Sequence, residues 1–463
     1  MARKALNFTI EVLTPLMISA FREASILHSL NYVPGVAIRG SLANLLLAGC
    51  PESKAQYHFH SNWPPAEREK CPFYRVFYAL EAPVFLNAYP GLARPALPLP
   101  ATAHSCKLYE GFRSAGLKQH GVFDTLVHQA VFEQALDGGQ PLPYIYEPKC
   151  WECTDGDRKT EAISGRFYMP RVGKYTSAKP FIRRFSRTAI GRGRATASEG
   201  QLYTLEVVGE EMELDEEDAE RRGEKTKPRT RFQGRVLADE NVATILRQYL
   251  PKIRWLGSGR SRGLGQVLLD APFEEELPAA PSSEQIGKLL EELAAEVPFA
   301  PQGSENAPPR DLVRRIIAFN RLWRVEWSSY VQLGALPPEG AWYFTVGLTA
   351  DAILGDGGAA TLRLEPKHLG AAFTQGVSLV RSWTGHRTVG GWSSAIGLPK
   401  EMELAVPMGS VFLYRVEARD GATVQAMITA LAELENQGIG AHREVGYGQV
   451  QICSPFHLEV KAL

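Results

Sequence analysis

GSGRSRGLGQV at residues 257–267 and GIGAHREVGYGQV at 438–450 are two versions of one loop. Each runs Gly-x-Gly, then a basic residue, then Gly-x-Gly-Gln-Val, and the second carries two extra residues. RFQGRVL and DENVATILRQYL (239–250) stand ahead of the first; VFLYRVEA and ATVQAMITALAELENQ stand ahead of the second. In both places alternation of apolar residues predicts a strand, and apolar spacing of three to four predicts a helix. Asp239 is the expected N-cap of the first helix. A strand, a helix, a glycine loop and a closing strand are therefore duplicated along the chain, and a repeated sequence unit marks a repeated structural unit.

Strand–helix–strand units of this kind predict an α+β fold of two ferredoxin-like (βαββαβ) domains, the plan of the common RNA-recognition module. Further toward the N-terminus, Leu6, Phe8, Ile10 and Val12 alternate as a strand requires. Pro34 and Gly35 break that pattern, and Leu42, Leu45 and Leu46 then recur at helical spacing. Ile38, Arg39, Gly40 and Ser41 are thus expected at a helix N-terminus, where free backbone N–H groups can hold a phosphate. LYTLEVVG (202–209) reads as a strand, and LWRVEWSSYVQL restarts a strand pattern near residue 322. The region from about 50 to 200 reads as long and irregular. Residues 210–220 hold eight acids in eleven positions, and 221–235 reverse the sign with seven Lys or Arg against one Glu, which reads as a solvated loop. Seven prolines in 271–310 suggest a linker around the amphipathic SEQIGKLLEELAAE. The expected division is a domain at 1–270 with a large insertion at about 50–200, a linker at 271–310, and a second domain at 311–463.

Composition narrows the function classes. The 463 residues carry 51 Lys plus Arg and 51 Asp plus Glu, so the formal net charge is zero. That excludes a uniformly basic nucleic-acid coat, and any electrostatic site must come from local segregation of charge. Hydrophobic residues are 44%, ordinary for a globular chain. With 42 Gly and 31 Pro, loops are numerous. No apolar run approaches the ~20 residues of a membrane span. The N-terminus lacks a cleavage-type signal pattern, and the protein reads as cytoplasmic. Six cysteines in such a chain do not make a disulfide scaffold. Cys150 and Cys153 have the C-x-x-C spacing of half a tetrahedral zinc site. Cys106 and His120 are the expected other half, with Cys71, His58 and His60 as competing ligands. One structural zinc would staple the Pro-rich region; the alternative is a pair of reduced surface thiols.

Several stretches together resemble a known family. PGVAIRGSL followed by the GSGRSRGLGQV loop, TAIGRGRATASEGQLYTLEVV, and GGWSSAIGLPKEMELAVPMGSVFLYRV are similar to the RAMP superfamily of CRISPR proteins. Within it they resemble the large, two-domain, Cas-five-like subunits of type III effector complexes, closest to the type III-D Csx-ten family with the type III-B Cmr-three family as neighbour. The resemblance covers both ends and the middle, and 50–170 only loosely. It implies a non-catalytic subunit that caps the 5′-handle end of the crRNA and contacts a Cas-ten-like large subunit. Cas-seven-like RAMP subunits would be further partners, and target RNA would be met only indirectly.

The residues offer surfaces for such a role. KPFIRRFSRTAIGRGR (179–194) holds Lys179, Arg183, Arg184, Arg187, Arg192 and Arg194 with no acid, and Phe181 and Phe185 interleave. Basic side chains neutralise phosphates and aromatic faces stack bases; the bland alternative is a solvated basic loop. Arg39, Arg260, Arg262 and Arg443 are all expected in Gly-flanked turns. Gly40, Gly263 and Gly446, with Ser41, would let backbone approach a phosphate that the arginines clamp. Trp383, His386, Arg387 and Trp392 form a second stacking and clamping candidate, or else pack on the protein's own core. His28, in a loop before the first helix, is the runner-up for catalysis, as the general acid or base of a crRNA-processing endoribonuclease. A backbone subunit coating the guide is a third reading. The resemblance implies that backbone RAMP subunits which cut target RNA place an aspartate in this early loop; SAFREASILHSLNYVP has Glu23 and no aspartate, which argues against target cleavage. No Walker phosphate loop is present.

Overall fold

The computed structural model describes residues 3–50, 64–78, 81–92, 94–113, 118–138, 142–154, 158–163, 165–171, 174–191, 193, 196–213, 227–294, 311–333, 340–393, 397–417 and 420–460. In chain order, β1 (Lys4–Val12) buries Leu6, Phe8, Ile10 and Val12, as the alternation requires. Helix α1 (Gly35–Ala48) starts after Pro34 and buries Ile38, Leu42 and Leu46. Then come β2 (Val84–Phe85), β3 (Ala103–Cys106), β4 (Val122–Asp124), α2 (Leu126–Asp137) and β5 (Thr160–Ala162). A long hairpin follows, β6 (Lys179–Gly191) with β7 (Thr196–Glu213). Strand β8 (Arg231–Ala238), α3 (Glu240–Tyr249) and β9 (Val267–Leu269) complete the first half. The second half has α4 (Leu312–Val331), β10 (Trp342–Leu348), β11 (Val377–Trp383), β12 (Val411–Val416), α5 (Gly421–Gln437) and β13 (Val450–Ile452).

The chain forms two compact units. One comprises Met1–Leu97, Ala178–Leu277 and Glu444–Gly446; the other comprises Pro98–Ser177, Pro278–Arg443 and Tyr447–Leu463. The N-terminal unit is built on a sheet in the order β9-β1-β8-β2, extended by Phe273–Glu276 beside β1 and Tyr89–Pro90 beside β8. Neighbours are antiparallel, with Ile10 paired to Phe232 on one side and to Leu269 on the other. Helices α1 and α3 bury Ile38, Leu42, Val242 and Leu246 with Phe8, Phe85 and Phe232 in one core. Each such side chain contributes about 1.5–3 kcal/mol. Asp239 caps α3 as expected, its Oδ1 accepting from the Val242 amide at 2.9 Å.

The C-terminal unit has the corresponding sheet, β13-β10-β12-β11, again with antiparallel neighbours. Phe344 of β10 faces Tyr414 of β12, their rings stacked at 5.0 Å. Helix α5, capped by Asp420, buries Val424, Met427, Ile428 and Leu431 against this core. Between β10 and β11, where the N-terminal unit has α1, lie two 3-10 turns, Pro366–Leu369 and Ala371–Phe373. The duplicated sequence thus gives duplicated α+β sheets of the same strand order. Among the described residues no helix is long and apolar enough to cross a membrane.

Four expectations are corrected. LWRVEWSSYVQL is the end of helix α4, which buries Ile316, Phe319, Trp323, Trp327 and Tyr330. The alternation of Trp323, Val325 and Trp327 imitates a strand, but Val325 is 38% exposed while both tryptophans are buried. The basic run 179–191 is a strand and not a loop, and the strand at 202–209 is the middle of its longer partner. Residues 98–177 are not an irregular insertion of the first domain. They form part of the C-terminal unit, where α2 buries Val127, Val131 and Phe132 in the core shared with α4. Part of the expected linker is folded: helix Ser283–Ala294 buries Ile286 and Leu289 in that same core. The acidic stretch beyond Glu213 and the basic residues up to 226 lie outside the described residues.

Candidate nucleic-acid surface and metal centre

The first glycine loop builds a cationic tip. Arg260–Arg262 form one 3-10 turn between Gly259 and Gly263, both left-handed at φ 81° and 78°. Nothing lies within 4 Å of a Cβ placed on Gly263, so the tip faces open space. Leu264 turns inward onto Met17, Leu205 and Val207, beside Phe185 and Tyr203, and so seats the loop against the β6–β7 hairpin. Arg262 Nη1 donates to Tyr203 Oη at 2.8 Å. Tyr203 lies directly opposite Arg187 in the hairpin register. The Arg187 guanidinium stands 5.9 Å from the Phe185 ring, and that of Arg260 stands 5.1 Å from the Trp255 ring. Two regions read separately in the sequence, 179–187 and 260–263, are therefore brought together. The residue that joins them, Tyr203, was missed. Its signal was the alternation of Tyr203, Leu205 and Val207 on one strand face.

The rest of the basic run is partly neutralised. β7 sets Glu210 within 3.0 Å of Arg183 and Glu206 within 2.8 Å of Arg184. Burial pushes the Glu206 carboxyl up, but hydrogen bonds from His28 and Arg184 outweigh it and leave its pKa below the ordinary value. Lys179 is exposed at the start of β6, paired in register with Glu213. Arg192 and Arg194 lie outside the described residues.

Arg39, Gly40 and Ser41 are not at a helix N-terminus. Helix α1 begins at Gly35, so these residues are past its first turn. The Gly35 amide at the true start donates to Asn87 Oδ1 at 2.9 Å. Arg39 is half-buried over the Phe77 ring at 5.0 Å, and burial lowers its guanidinium pKa. Ser41 Oγ donates to the Trp255 carbonyl at 3.1 Å, and Gly40 is exposed.

The second glycine loop differs. Arg443–Val445 again form a 3-10 turn, but it contains Glu444, and Val445 is only 7% exposed. Gly446, at φ 97°, is buried; a Cβ there would stand 2.9 Å from the Phe85 carbonyl oxygen. Backbone packing, not an open approach, accounts for this glycine. Arg443 Nη1 reaches the Gly438 carbonyl at 3.5 Å.

The 381–392 candidate is divided. Trp383 ends strand β11, its Nε1 donating to Gln129 Oε1 at 3.0 Å, with Arg381 over its ring. Arg387 pairs with the buried Asp351 carboxylate at 3.2 Å. His386 is exposed, and Trp392 is 61% exposed.

All four expected metal ligands converge in the C-terminal unit. The donor atoms of Cys106, His120, Cys150 and Cys153 lie within 4.8 Å of one another. The three cysteines are buried together with Phe123. Cys71 is not among them: its Sγ lies 3.5 Å from that of Cys50, in the N-terminal unit. His58 and His60 lie outside the described residues.

His28 is not in a loop but in a short strand, Ile26–Ser29, paired parallel to β7; its Nδ1 is 2.6 Å from Glu206 Oε2, and its Nε2 is 3.4 Å from Glu23. Residues 259–263 also spell Gly-x-Ser-x-Gly. Ser261 follows helix α3 and precedes strand β9, the reverse of the strand–turn–helix order of a nucleophile elbow.

Residues 314–455 match the family model described as CRISPR-associated protein (Cas_Cmr3). The matched stretch runs from α4 through the sheet and α5 to just past the second glycine loop. The resemblance to type III CRISPR effector subunits is borne out, and the matched family is the one named above as neighbour to Csx-ten. No curated protein matches the chain. Among solved structures, a chain of the type III-B Cmr-beta complex bound to cognate target RNA is 9% identical, with 96% of each chain covered and a TM-score of 0.39. A chain from that complex with target RNA and AMPPnP is 11% identical, covers 98% of this chain and 99% of that one, and scores 0.36. A chain of the apo Cmr-beta complex is 13% identical, covers 57% of this chain and 96% of that one, and scores 0.27. TM-scores below 0.5 do not establish a common fold.

Proposed function

We propose that this chain is a non-catalytic, crRNA-binding subunit of a type III CRISPR effector complex, made of two ferredoxin-like RAMP domains. In this reading it caps the 5′-handle end of the guide in the cytoplasm and contacts a Cas-ten-like large subunit beside Cas-seven-like RAMP subunits. Target RNA reaches it only through the guide. The match of residues 314–455 to the Cas_Cmr3 family supports the class. The observation that carries RNA binding is the open tip of the first glycine loop, where Arg260 and Arg262 join Arg187, Phe185 and Tyr203. The arginines neutralise successive phosphates, and the rings offer faces to unstacked bases.

The test is fluorescence anisotropy of a single-stranded CRISPR-repeat handle with the full chain, titrated at several salt concentrations. Each phosphate contact contributes about −0.7 to the log–log salt slope. Replacing Arg187, Arg260 and Arg262 with Ala should weaken binding and flatten that slope by about two. Unchanged affinity and slope in a folded variant would sink the proposal. One observation favours a second reading: Glu206 orients His28 as a carboxylate orients a general acid or base. A single specific cut in repeat RNA, abolished by His28→Ala, would replace the binding subunit with an endoribonuclease.

A further inference from the structure

We propose that Cys106, His120, Cys150 and Cys153 hold one structural Zn²⁺ ion. Cys106 Sγ is 3.5 Å from Cys153 Sγ, and His120 Nδ1 is 3.3 Å from Cys150 Sγ and 3.5 Å from Cys153 Sγ. A tetrahedral zinc with bonds of about 2.3 Å to sulfur and about 2.0 Å to nitrogen has ligand–ligand edges of about 3.5–3.8 Å. These three of the six donor separations already stand at or just inside those edges, and all six lie within 4.8 Å, so one ion fits between the donors with side-chain adjustments. A disulfide between any two of these thiols would leave the third thiol and the imidazole without a role. Convergence of all four donors from three separate segments is what a metal demands.

The surroundings hold the ligands in place before any ion arrives. Backbone amides of Leu108 and Tyr109 donate to Cys106 Sγ, the kind of hydrogen bond that outer-shell groups make to a metal-ligating sulfur. Ser105, buried beside Cys106, accepts from the Gly111 amide at 2.9 Å and donates to the Gly121 carbonyl at 2.8 Å. It thereby ties down both ends of the excursion that brings His120 back. Arg113 Nε donates to the His120 carbonyl at 3.2 Å, and the Tyr109 ring packs on the imidazole at 4.5 Å.

The local fold needs such a staple. Strands β3, β4 and β5 are three or four residues long, and the buried apolar cluster beside them is Phe123 with the three cysteines. Strands this short are not stable by pairing alone. Four protein ligands leave no open position, which makes the site structural and not catalytic. Three thiolates with one imidazole select zinc over magnesium or calcium, which take oxygen ligands.

The experiment is elemental analysis of the full chain purified under reductant without chelator, followed by reconstitution with Co²⁺. The expected result is about one zinc per chain. The cobalt form should show the intense visible bands of a tetrahedral site and a near-ultraviolet thiolate charge-transfer band. His120→Ala and Cys153→Ser should lose the metal, whereas His120→Cys should keep one equivalent and shift the cobalt spectrum toward all-sulfur ligation. Should the losing variants fail to fold, release of zinc from wild-type protein by an organomercurial gives the same answer. Wild-type protein without stoichiometric zinc, both as isolated and after zinc addition, would overturn the site. So would full metal retention in both His120→Ala and Cys153→Ser. None of these readouts depends on RNA binding.

Discussion

The two glycine-rich loops spell one pattern and close equivalent sheets, yet they present different tips. Their inner glycines do the same work. A Cβ on Gly265 would stand 2.2 Å from the Leu256 carbonyl oxygen, and one on Gly448 would stand 1.8 Å from that of Ile439. Their outer glycines diverge. Gly263 faces open space after two exposed arginines, whereas Gly446 is buried after Glu444 and Val445. A repeated motif can therefore preserve the backbone geometry a fold needs in both copies and leave only one copy free to meet a ligand.

The largest test of this difference is steric. Gly446→Val should destabilise the protein by about 3 kcal/mol, from overpacking added to a left-handed backbone. Gly263→Ala carries only the left-handed cost, about 1 kcal/mol. Urea unfolding of both variants measures the gap, and equal losses would erase the distinction between the tips.

A smaller effect concerns charge. Arg187→Ala with Arg262→Ala should flatten the RNA salt slope by about 1.4, two contacts' worth. The pair Arg183→Ala and Arg184→Ala should flatten it less, because Glu210 and Glu206 already accompany those arginines. Between the loops, Arg262→Ala should remove about 0.7 of slope and Arg443→Ala less, since Glu444 is its neighbour. A larger loss from Arg443 would move the RNA contact to the second loop.

The smallest effects come from the equivalent caps. Asp239→Ala should cost about 1 kcal/mol by freeing the Val242 amide. Asp420→Ala acts in the same direction on α5, where hydrogen bonds from Thr423 hold the Asp420 carboxyl below the ordinary 3.8. Its contribution is present above pH 3.8 and is lost as pH falls through the lowered folded-state value. Thermal melts of wild type and Asp420→Ala should therefore converge in acid. A difference that persists unchanged at the lowest accessible pH would show that the carboxylate is not the cap.

The elements legible in the sequence were those with long, regular apolar spacing: β1, α1, α3, β12 and α5. Helix α4 misled because a window of five residues around Val325 alternates, while its true period shows only over all twenty. The strands of region 98–177 resisted reading because they are too short to show a period and the cluster beside them is made of cysteines and one phenylalanine, whereas helix α2, with its regular buried face, was missed. Half of the candidate metal cluster was nevertheless legible, since C-x-x-C spacing is a local chemical signature, whereas Cys71, His58 and His60 competed with Cys106 and His120 for the other half.

By itself the sequence determined the duplicated module, the buried faces of its strands and helices, the C-x-x-C half of the donor set, and the arginines that could meet a phosphate. These depend on spacing within short stretches of chain. Only the tertiary structure decided which arginines stand against glutamates, that Tyr203 links Arg187 to Arg262, which glycine tip is open, and that residues 98–177 fold with the C-terminal unit. Those outcomes depend on strand register and on packing between residues tens to hundreds of positions apart, and no local periodicity encodes them.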